Sequence, residues 1–474
     1  MILQFMIHIL KKIKGNTKPP MREDLTKGDI PTLVKRIAIP ASIGFFFSTM
    51  YNIVDTFYAG MISTEALAAM AISFPVFFII IALGSGISTA ASALVSNALG
   101  AKNEEKAKEY AGQSISFAII ASLVITIAGL ISAPTLFRIL GAEGAYLDLA
   151  VSYISIIFMG SIFFLILNVM NGILIALGDT KTFRNLLIGG FFLNLILDPW
   201  FMFGGLGVPA MGIRGIALAT IVIIGINATI ITIKVLRTNL IDVEHLYALI
   251  PRAKPFKEIL RQGFPASLNM MTIAIGIFVI TYYLAQFGSE AVAAYGITTR
   301  IEQIALLPTI GLNMAALAII GQNNGARKIA RIRETLLVSL KYGLGIISVG
   351  AVIMFAIPGV FLRIFTSDPE VIDIGITALR IAAITSWTYV AIMIITSALQ
   401  GMKRPMYAFY IGVFRQIVGP VILFYIAINV LATGIVGIWW GIFIVNWIAT
   451  IITVIYMTHV FKKRVRKLKA IGEV

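Results

Sequence analysis

The sequence predicts an all-α membrane protein with twelve transmembrane helices in two pseudo-symmetric six-helix bundles. Three observations carry this: the apolar composition, an alternation of basic and neutral loops, and an internal repeat. Of 474 residues, 59% are apolar and 13% charged, and the mean hydropathy is +0.94. A soluble domain is nearer half apolar and a quarter charged. The composition therefore argues against a soluble enzyme, a disordered chain and a disulfide-stapled module. There is no Cys, which removes disulfide, iron–sulfur and thiolate chemistry.

Apolar stretches long enough to cross a bilayer fall at about 35–60, 66–97, 110–133, 146–177, 183–205 and 213–236. Six more follow at about 259–286, 291–321, 335–358, 371–400, 406–429 and 435–461. They read as helices because a backbone in lipid must satisfy its own hydrogen bonds. The short alternating strands of a membrane barrel do not occur. Pro40 lies inside span 1 and Pro265 inside span 7. An interior proline bends a helix. The opening MILQFMIHIL is followed by KKIK rather than a small-residue cleavage site, so residues 1–30 are expected to be a cytoplasmic tail, not a signal peptide.

The net charge of +16 is explained by where the bases lie. Of the 38 Lys and Arg, 32 fall in the two tails and in every second loop, span edges included. The other loops hold only Arg138, Arg214 and Arg363. Basic residues mark the cytoplasmic side, so both termini are expected there and the charge needs no nucleic-acid partner. The expected organisation is a tail at 1–30, a first lobe at 31–236, a linker at 237–257, a second lobe at 258–461 and a basic tail at 462–474.

Residues 40–109 match residues 265–334 at a constant offset of 225. Pro40-Ala41-Ser42 returns as Pro265-Ala266-Ser267, and EALAAMAI (65–72) as EAVAAYGI (290–297). Gly86, Ala90, Ala91 and Ala93 return as Gly311, Ala315, Ala316 and Ala318. A six-span unit has been duplicated, and its even span number gives both copies one orientation. Parallel repeats of this kind are a transporter architecture, with the substrate site at the repeat interface.

Charge inside the membrane is costly and needs a reason. Asp55 lies in span 1, Asp198 in span 5 and Glu302 in span 8 near Arg300. At a rise of 1.5 Å per residue, Asp55 is about 30 Å and Asp198 about 22 Å into its span, so the two can meet in the outer half of one lobe. Tyr51 and Asn194 each lie one turn before an aspartate on the same face. Pro199 removes a backbone donor, offering a freed carbonyl as a further ligand. Thr220 in span 6 and Asn168 and Asn171 in span 4 supply further polar groups. Two carboxylates in low dielectric do not both ionise cheaply: one takes a proton, or both share a cation. H⁺ and Na⁺ are therefore alternative occupants. Asp55 maps onto Ile280 in the second copy, so the acid pair belongs to the first lobe alone. Glu302 is expected either to pair with a neighbouring helix or to face the central cavity. No cluster suits zinc, since His8, His245 and His459 lie far apart, and no HExxH or GxSxG motif marks an enzyme.

The segments YNIVDTFYAG, EALAA, ITTRIEQIALLP, GQNNGARK and ALQGMKRP resemble the multidrug and toxic compound extrusion (MATE) transporters over about residues 27–460. LNLILDPW is similar to the DinF-type archaeal and bacterial branch. The resemblance implies a V-shaped MATE fold and a multidrug efflux antiporter in the cytoplasmic membrane, exporting amphipathic organic cations (xenobiotics) against H⁺ or Na⁺. It implies Asp55 and Asp198 as coupling carboxylates, with Asn194 as a ligand if the ion is Na⁺. It implies Tyr51, Tyr153 and Asn171 as lining groups, Thr220 near the ion and Pro40 as a bend. It implies no cofactor beyond the coupling ion. The expected partners are small organic cations and membrane lipid, with a monomer as the working unit. The rival is a flippase for a lipid-linked anionic substrate, which the intramembrane Arg300, Arg380 and Arg415 would suit.

Overall fold

The computed structural model describes residues 23–241 and 248–470. His8, His245, most of the expected N-terminal tail, residues 242–247 of the expected linker and the last four residues of the basic tail lie outside the described residues. The first half of the chain forms α1 (Ile30–Ile62), α2 (Thr64–Gly100), α3 (Glu104–Ile139), α4 (Gly144–Met159), α5 (Ser161–Ala176), α6 (Lys181–Phe203) and α7 (Ile213–Leu236). The second half forms α8 (Ala253–Leu284), α9 (Ser289–Gly325), α10 (Ile329–Ala356), α11 (Pro358–Arg363) and α12 (Pro369–Gly401). It ends with α13 (Met406–Val413), a π-helical turn (Phe414–Val418), α14 (Gly419–Tyr425), a second π-helical turn (Ile426–Val430) and α15 (Gly434–Lys469). Eleven of the helical segments are long and apolar enough to cross a membrane, and α4 with α5 makes a twelfth, bent by 47°.

Helix starts follow capping chemistry. Ser63 accepts from the Ala66 amide at 3.0 Å and Asn103 from the Lys106 amide at 2.9 Å, each satisfying a donor the helix leaves open. The duplication is visible in the helix ends. Lys102 (φ 57°) and Arg327 (φ 59°) occupy equivalent left-handed positions after α2 and α9. The next amides close the same turn, Asn103 onto the Ala98 carbonyl at 3.0 Å and Lys328 onto the Asn323 carbonyl at 2.9 Å. The break between α4 and α5 falls at Gly160. A Cβ there would lie 2.0 Å from the Ile221 side chain. Thr126 donates to the Phe158 carbonyl at 2.7 Å, taking up an acceptor beside the break.

The chain divides into two compact units, and their bounds differ from the expected lobes at 31–236 and 258–461. Ile43–Ser267 belong to the first unit. Thr26–Ser42 and the chain from Leu268 onward belong to the second. The first turns of α1 thus pack in the second unit, and the first turns of α8 in the first. Glycine makes room for both. In the second unit a Cβ at Gly311 would lie 2.0 Å from the Ala38 carbonyl oxygen and 2.5 Å from Ser42 Oγ. In the first, a Cβ at Gly86 would lie 1.9 Å from Ser267 Oγ and 2.6 Å from the Gly263 carbonyl oxygen. All three pairs (86/311, 38/263, 42/267) are related by the offset of 225. Pro40 and Pro265 each precede the passage between units by two residues, and α1 runs unbroken through Pro40.

Polar ties hold the approaches to these helices. In the first unit, Gln113 Nε2 donates to the Ala248 and Ile250 carbonyls, both at 2.6 Å, and its Oε1 accepts from the Arg252 amide at 2.9 Å. In the second, Arg331 donates to the Gly28 carbonyl at 2.8 Å and the Lys27 carbonyl at 3.0 Å.

Candidate functional site: a buried acid pair in the first unit

The i, i+4 spacing of a helix places Tyr51 above Asp55 on α1, and Asn194 above Asp198 on α6. Asn194 bridges the two helices, its Nδ2 donating to Asp55 Oδ1 at 2.7 Å. The sequence pairs Asn194 with Asp198 on one face; its amide also reaches Asp55 on the neighbouring helix. Asp55 is 4% exposed, and Asp198 and Asn194 are wholly buried. Asp198 lies beside Asp55 and Asn194, and neither of its carboxylate oxygens meets a donor in good hydrogen-bond geometry.

Several neighbouring oxygens are likewise under-used. Tyr51 Oη, Asn194 Oδ1 and Thr220 Oγ1 are buried without a hydrogen bond of good geometry, the Tyr51 and Thr220 hydroxyls lying beside each other. Tyr51 lies close to both carboxylates, Thr220 and Tyr153. Tyr153 is buried with both carboxylates in reach. The site therefore brings together Tyr51, Asp55, Tyr153, Asn194, Asp198 and Thr220, from α1, α4, α6 and α7. Buried polar atoms are normally satisfied, so a cluster of under-used oxygens has the chemistry to take a proton, a cation or water. All the donors to a cation would be oxygens, the set preferred by hard ions. Among the described residues no group of three or more His, Cys, Asp or Glu side chains is assembled to hold a metal.

Other expected residues stand apart. Asn171 is buried with Oδ1 unpartnered, but nothing ties it to the acids. Asn168 donates to the Phe164 carbonyl of its own helix at 2.9 Å and packs beside Gly84. Glu302 belongs to the second unit. The carbonyl freed by Pro199 is that of Leu195, and it is not free: Tyr58 Oη donates to it at 3.3 Å. The expectation of a carbonyl ligand there is corrected by a residue the sequence reading passed over. Its signal was present, since Tyr58 returns as Tyr283, which donates to the Val421 carbonyl at 3.4 Å.

A duplicated bundle of membrane-spanning helices with a buried acid pair in one copy defines a polytopic membrane transporter. Comparison with known proteins gives the family. The MatE family profile matches residues 40–200 and 265–426, one block in each repeat, and the chain belongs to that family of MATE transporters. It is 28% identical over 430 residues to the probable multidrug resistance protein NorM of Thermotoga maritima, covering 88% of this chain and 90% of that one. It is 27% identical over 404 residues to an FAD transporter of Shewanella oneidensis, covering 84% and 88% of the two chains. A solved outward-facing multidrug resistance MATE transporter of the MOP superfamily superposes with a TM-score of 0.87 at 27% identity, over 95% of this chain and 100% of its own. A MOP superfamily transporter from Pyrococcus furiosus, described as having a binding pocket of reverse polarity, gives 0.88 at 27%, over 94% and 99%.

Proposed function

We propose that the protein is a multidrug efflux antiporter. It exports amphipathic organic cations across the cytoplasmic membrane in exchange for H⁺ or Na⁺, with both termini in the cytoplasm and one chain as the working unit. The observation that supports this best is the juxtaposition of two buried carboxylates, both within reach of Asn194. One proton shared by the pair, or one Na⁺ held by Asp55, Asp198 and Asn194 Oδ1, neutralises the same charge. Thr220 and Tyr51 offer further oxygens beside them. Tyr153 lines the approach.

The cycle works by mutual exclusion. With the acids bare, the negative pocket favours an organic cation. Arrival of the coupling ion removes that charge and releases the solute outward. Coupling requires that ion and solute prefer different states, since a ligand shifts an equilibrium only by its differential affinity. Each elementary charge entering supplies about 2.3 kcal/mol per 100 mV of membrane potential.

The test uses proteoliposomes loaded with a fluorescent lipophilic cation under an imposed pH or Na⁺ gradient. Dye movement driven by one gradient, and lost in Asp55→Asn, is the expected result. Movement indifferent to both gradients and to the substitution overturns the antiport reading and favours the flippase.

A further inference from the structure

One stretch of the repeat starts α3 in the first unit and α10 in the second, and the two copies treat it differently. GAKNEEKAKE (100–109) returns as GARKIARIRE (325–334). In the first copy Asn103 caps the helix, accepting from the Lys106 amide, and Glu104 and Glu105 set negative charge against the positive end of its dipole. In the second, Lys328 stands at the cap position without a side-chain hydrogen bond to the helix, and the first turn holds no acid. Ile329 and Ala330 replace the two glutamates. Bases at a helix start oppose the dipole, so this copy has given up local stability. Membrane orientation does not require it, since Lys102, Lys106 and Lys108 supply bases in the first copy beside their acids. A local rule broken in one copy alone is a mark of function.

The bases open onto a cleft of about 830 Å³ beside the start of α10 and the last turns of α15. Arg327, Lys328, Arg331 and Arg333 line it with Ile329 and Val465, and no acid does. Glu334 on α10 and Asp29 ahead of α1 stand nearby without lining it. Neutral groups hold two of the bases in place. Lys328 Nζ donates to the Thr26 carbonyl at 2.8 Å, and Arg331 Nε to Asn323 Oδ1 at 3.1 Å. A neutral acceptor orients a base without cancelling its charge. Arg464 donates to the Asn324 carbonyl at 3.3 Å and ties the end of α15 to the end of α9. Like charges gathered in one cleft repel, and a bound anion relieves that repulsion.

The surroundings indicate which anion. The cleft lies where α9, α10 and α15 end, and each is long and apolar enough to cross a membrane. Arg333, Leu337, Leu340 and Leu344 follow at helical spacing and share one face of α10. Leu337 is 54% exposed, and the next two are half-buried. A guanidinium at the head of an apolar stripe matches a charged headgroup with a chain below it.

We propose that this cleft binds the phosphodiester headgroup of an anionic membrane lipid, with a chain lying along α10. Guanidinium groups take phosphate oxygens in pairs, and basic pockets between membrane helices suit such headgroups. The lipid is a fixture of the fold rather than the solute or ion carried, so the proposal stands or falls apart from the antiport reading.

The test is a titration of the full-length protein in detergent with phosphatidylglycerol, bound and free protein being counted by native mass spectrometry near physiological ionic strength. Diffuse attraction is screened there. Phosphatidylcholine and glycerol phosphate are the comparison probes. Ala330→Glu, which restores the first copy's acid at an exposed position, is expected to weaken phosphatidylglycerol by about tenfold or more. Its melting temperature should hold or rise, because an acid suits a helix start. Arg333→Gln should weaken binding to a similar degree, while its equivalent in the first unit, Lys108→Gln, stays within about twofold. Equal losses from Arg333→Gln and Lys108→Gln would mean diffuse attraction to a basic face and overturn the site. So would phosphatidylcholine bound as tightly as phosphatidylglycerol, or binding indifferent to Ala330→Glu. Glycerol phosphate bound as tightly as the lipid would make the occupant a soluble phosphate and overturn the lipid assignment. If Ala330→Glu does not fold, the Arg333→Gln and Lys108→Gln pair decides.

Discussion

The two units share an ancestor and a backbone but have exchanged their polarity. In the first, Tyr51, Asp55, Asp198 and Thr220 meet inside the helices. The second holds Gly276 and Ile280 at the equivalents of Tyr51 and Asp55, and Phe424 at that of Asp198, the Tyr58–Leu195 and Tyr283–Val421 contacts setting the later helices at an offset of 226. The segments GIRGI (212–216) and GIVGI (434–438) align α7 with α15, placing Ile442 opposite Thr220. Ile280 and Phe424 are buried in one apolar cluster with Tyr295 and Trp439, and Ile442 packs against it. In return the second unit carries Glu302 and Arg415 where the first has Phe77 and Gly189. Each copy thus serves as a control for the other. What both retain, namely the crossed first helices, the paired glycines and the Tyr58/Tyr283 contact, is architecture. What one alone carries is free to be function.

The sharpest way to break this comparison is to make the first unit resemble the second. Asp55→Ile copies the residue at position 280. Because Ile280 already packs at that place in the same fold, the variant is expected to insert and fold. Its ion-driven dye transport should fall to the protein-free background, since one carboxylate no longer has a second with which to share an ion. Transport at wild-type rate in proteoliposomes would place the coupling site elsewhere.

Stability tests the shared architecture. A Cβ at Gly311 meets the Ala38 backbone oxygen first, whereas at Gly86 the nearest atom belongs to the Ser267 side chain, which can rotate. Overpacking a tight contact costs about 1–3 kcal/mol. Gly311→Ala should therefore lower the melting temperature in detergent more than Gly86→Ala, and both should be destabilising. Equal or absent effects would mean that the half-helices are not held at these glycines.

Much of this was legible in the chain. Spans announce themselves because lipid forbids polar runs, and the repeat shows because the Gly and Ala at close helix contacts tolerate little change. The acid pair was legible for a related reason: a carboxylate in an apolar span is too costly to be incidental. Three things were hidden. The exchange of the first helix halves depends on which surface a half-helix packs against, and hydropathy carries no such information. The pairing of Asn194 with Asp55 across to α1 depends on the rotation of α6 against α1. The π-helical turn that carries Arg415 shifts helix register, and the Gly419-Pro420 pair just after it marks a disturbed helix without specifying which kind.

The Tyr58/Tyr283 pair sharpens the comparison at a smaller scale. Both hydroxyls donate to a carbonyl across the unit, but only the Leu195 carbonyl has lost its helix partner, to Pro199. Removing a hydroxyl that is an acceptor's only partner costs about 1–3 kcal/mol, whereas a supplementary bond contributes about 1 kcal/mol or less. Tyr58→Phe should therefore destabilise more than Tyr283→Phe in thermal melts. The reverse order would mean that the Leu195 carbonyl finds water instead.

The smallest expected effect concerns the start of α1. Asp29 Oδ2 accepts from the Thr32 amide at 2.9 Å and from Thr32 Oγ1 at 2.7 Å, and its equivalent by the offset of 225 is Lys254, the second residue of α8, which has no carboxylate to offer. The Thr32 hydrogen bonds hold the Asp29 carboxyl below its ordinary 3.8, with Lys35 and Arg331 adding attraction. A carboxyl whose value is lowered on folding stabilises the fold when ionised. That contribution is whole well above pH 3.8, declines as the unfolded chain begins to protonate, and is lost once pH falls through the folded value. Asp29 is fully exposed, so the effect should be small and weakened by salt. The melting-temperature gap between wild type and Asp29→Ala should be present at neutral pH and narrow at the acid end. A gap that stayed constant down to the lowest pH tolerated would mean that the carboxyl caps α1 equally well when neutral, and that α1 and α8 start without the electrostatic difference their sequences suggest.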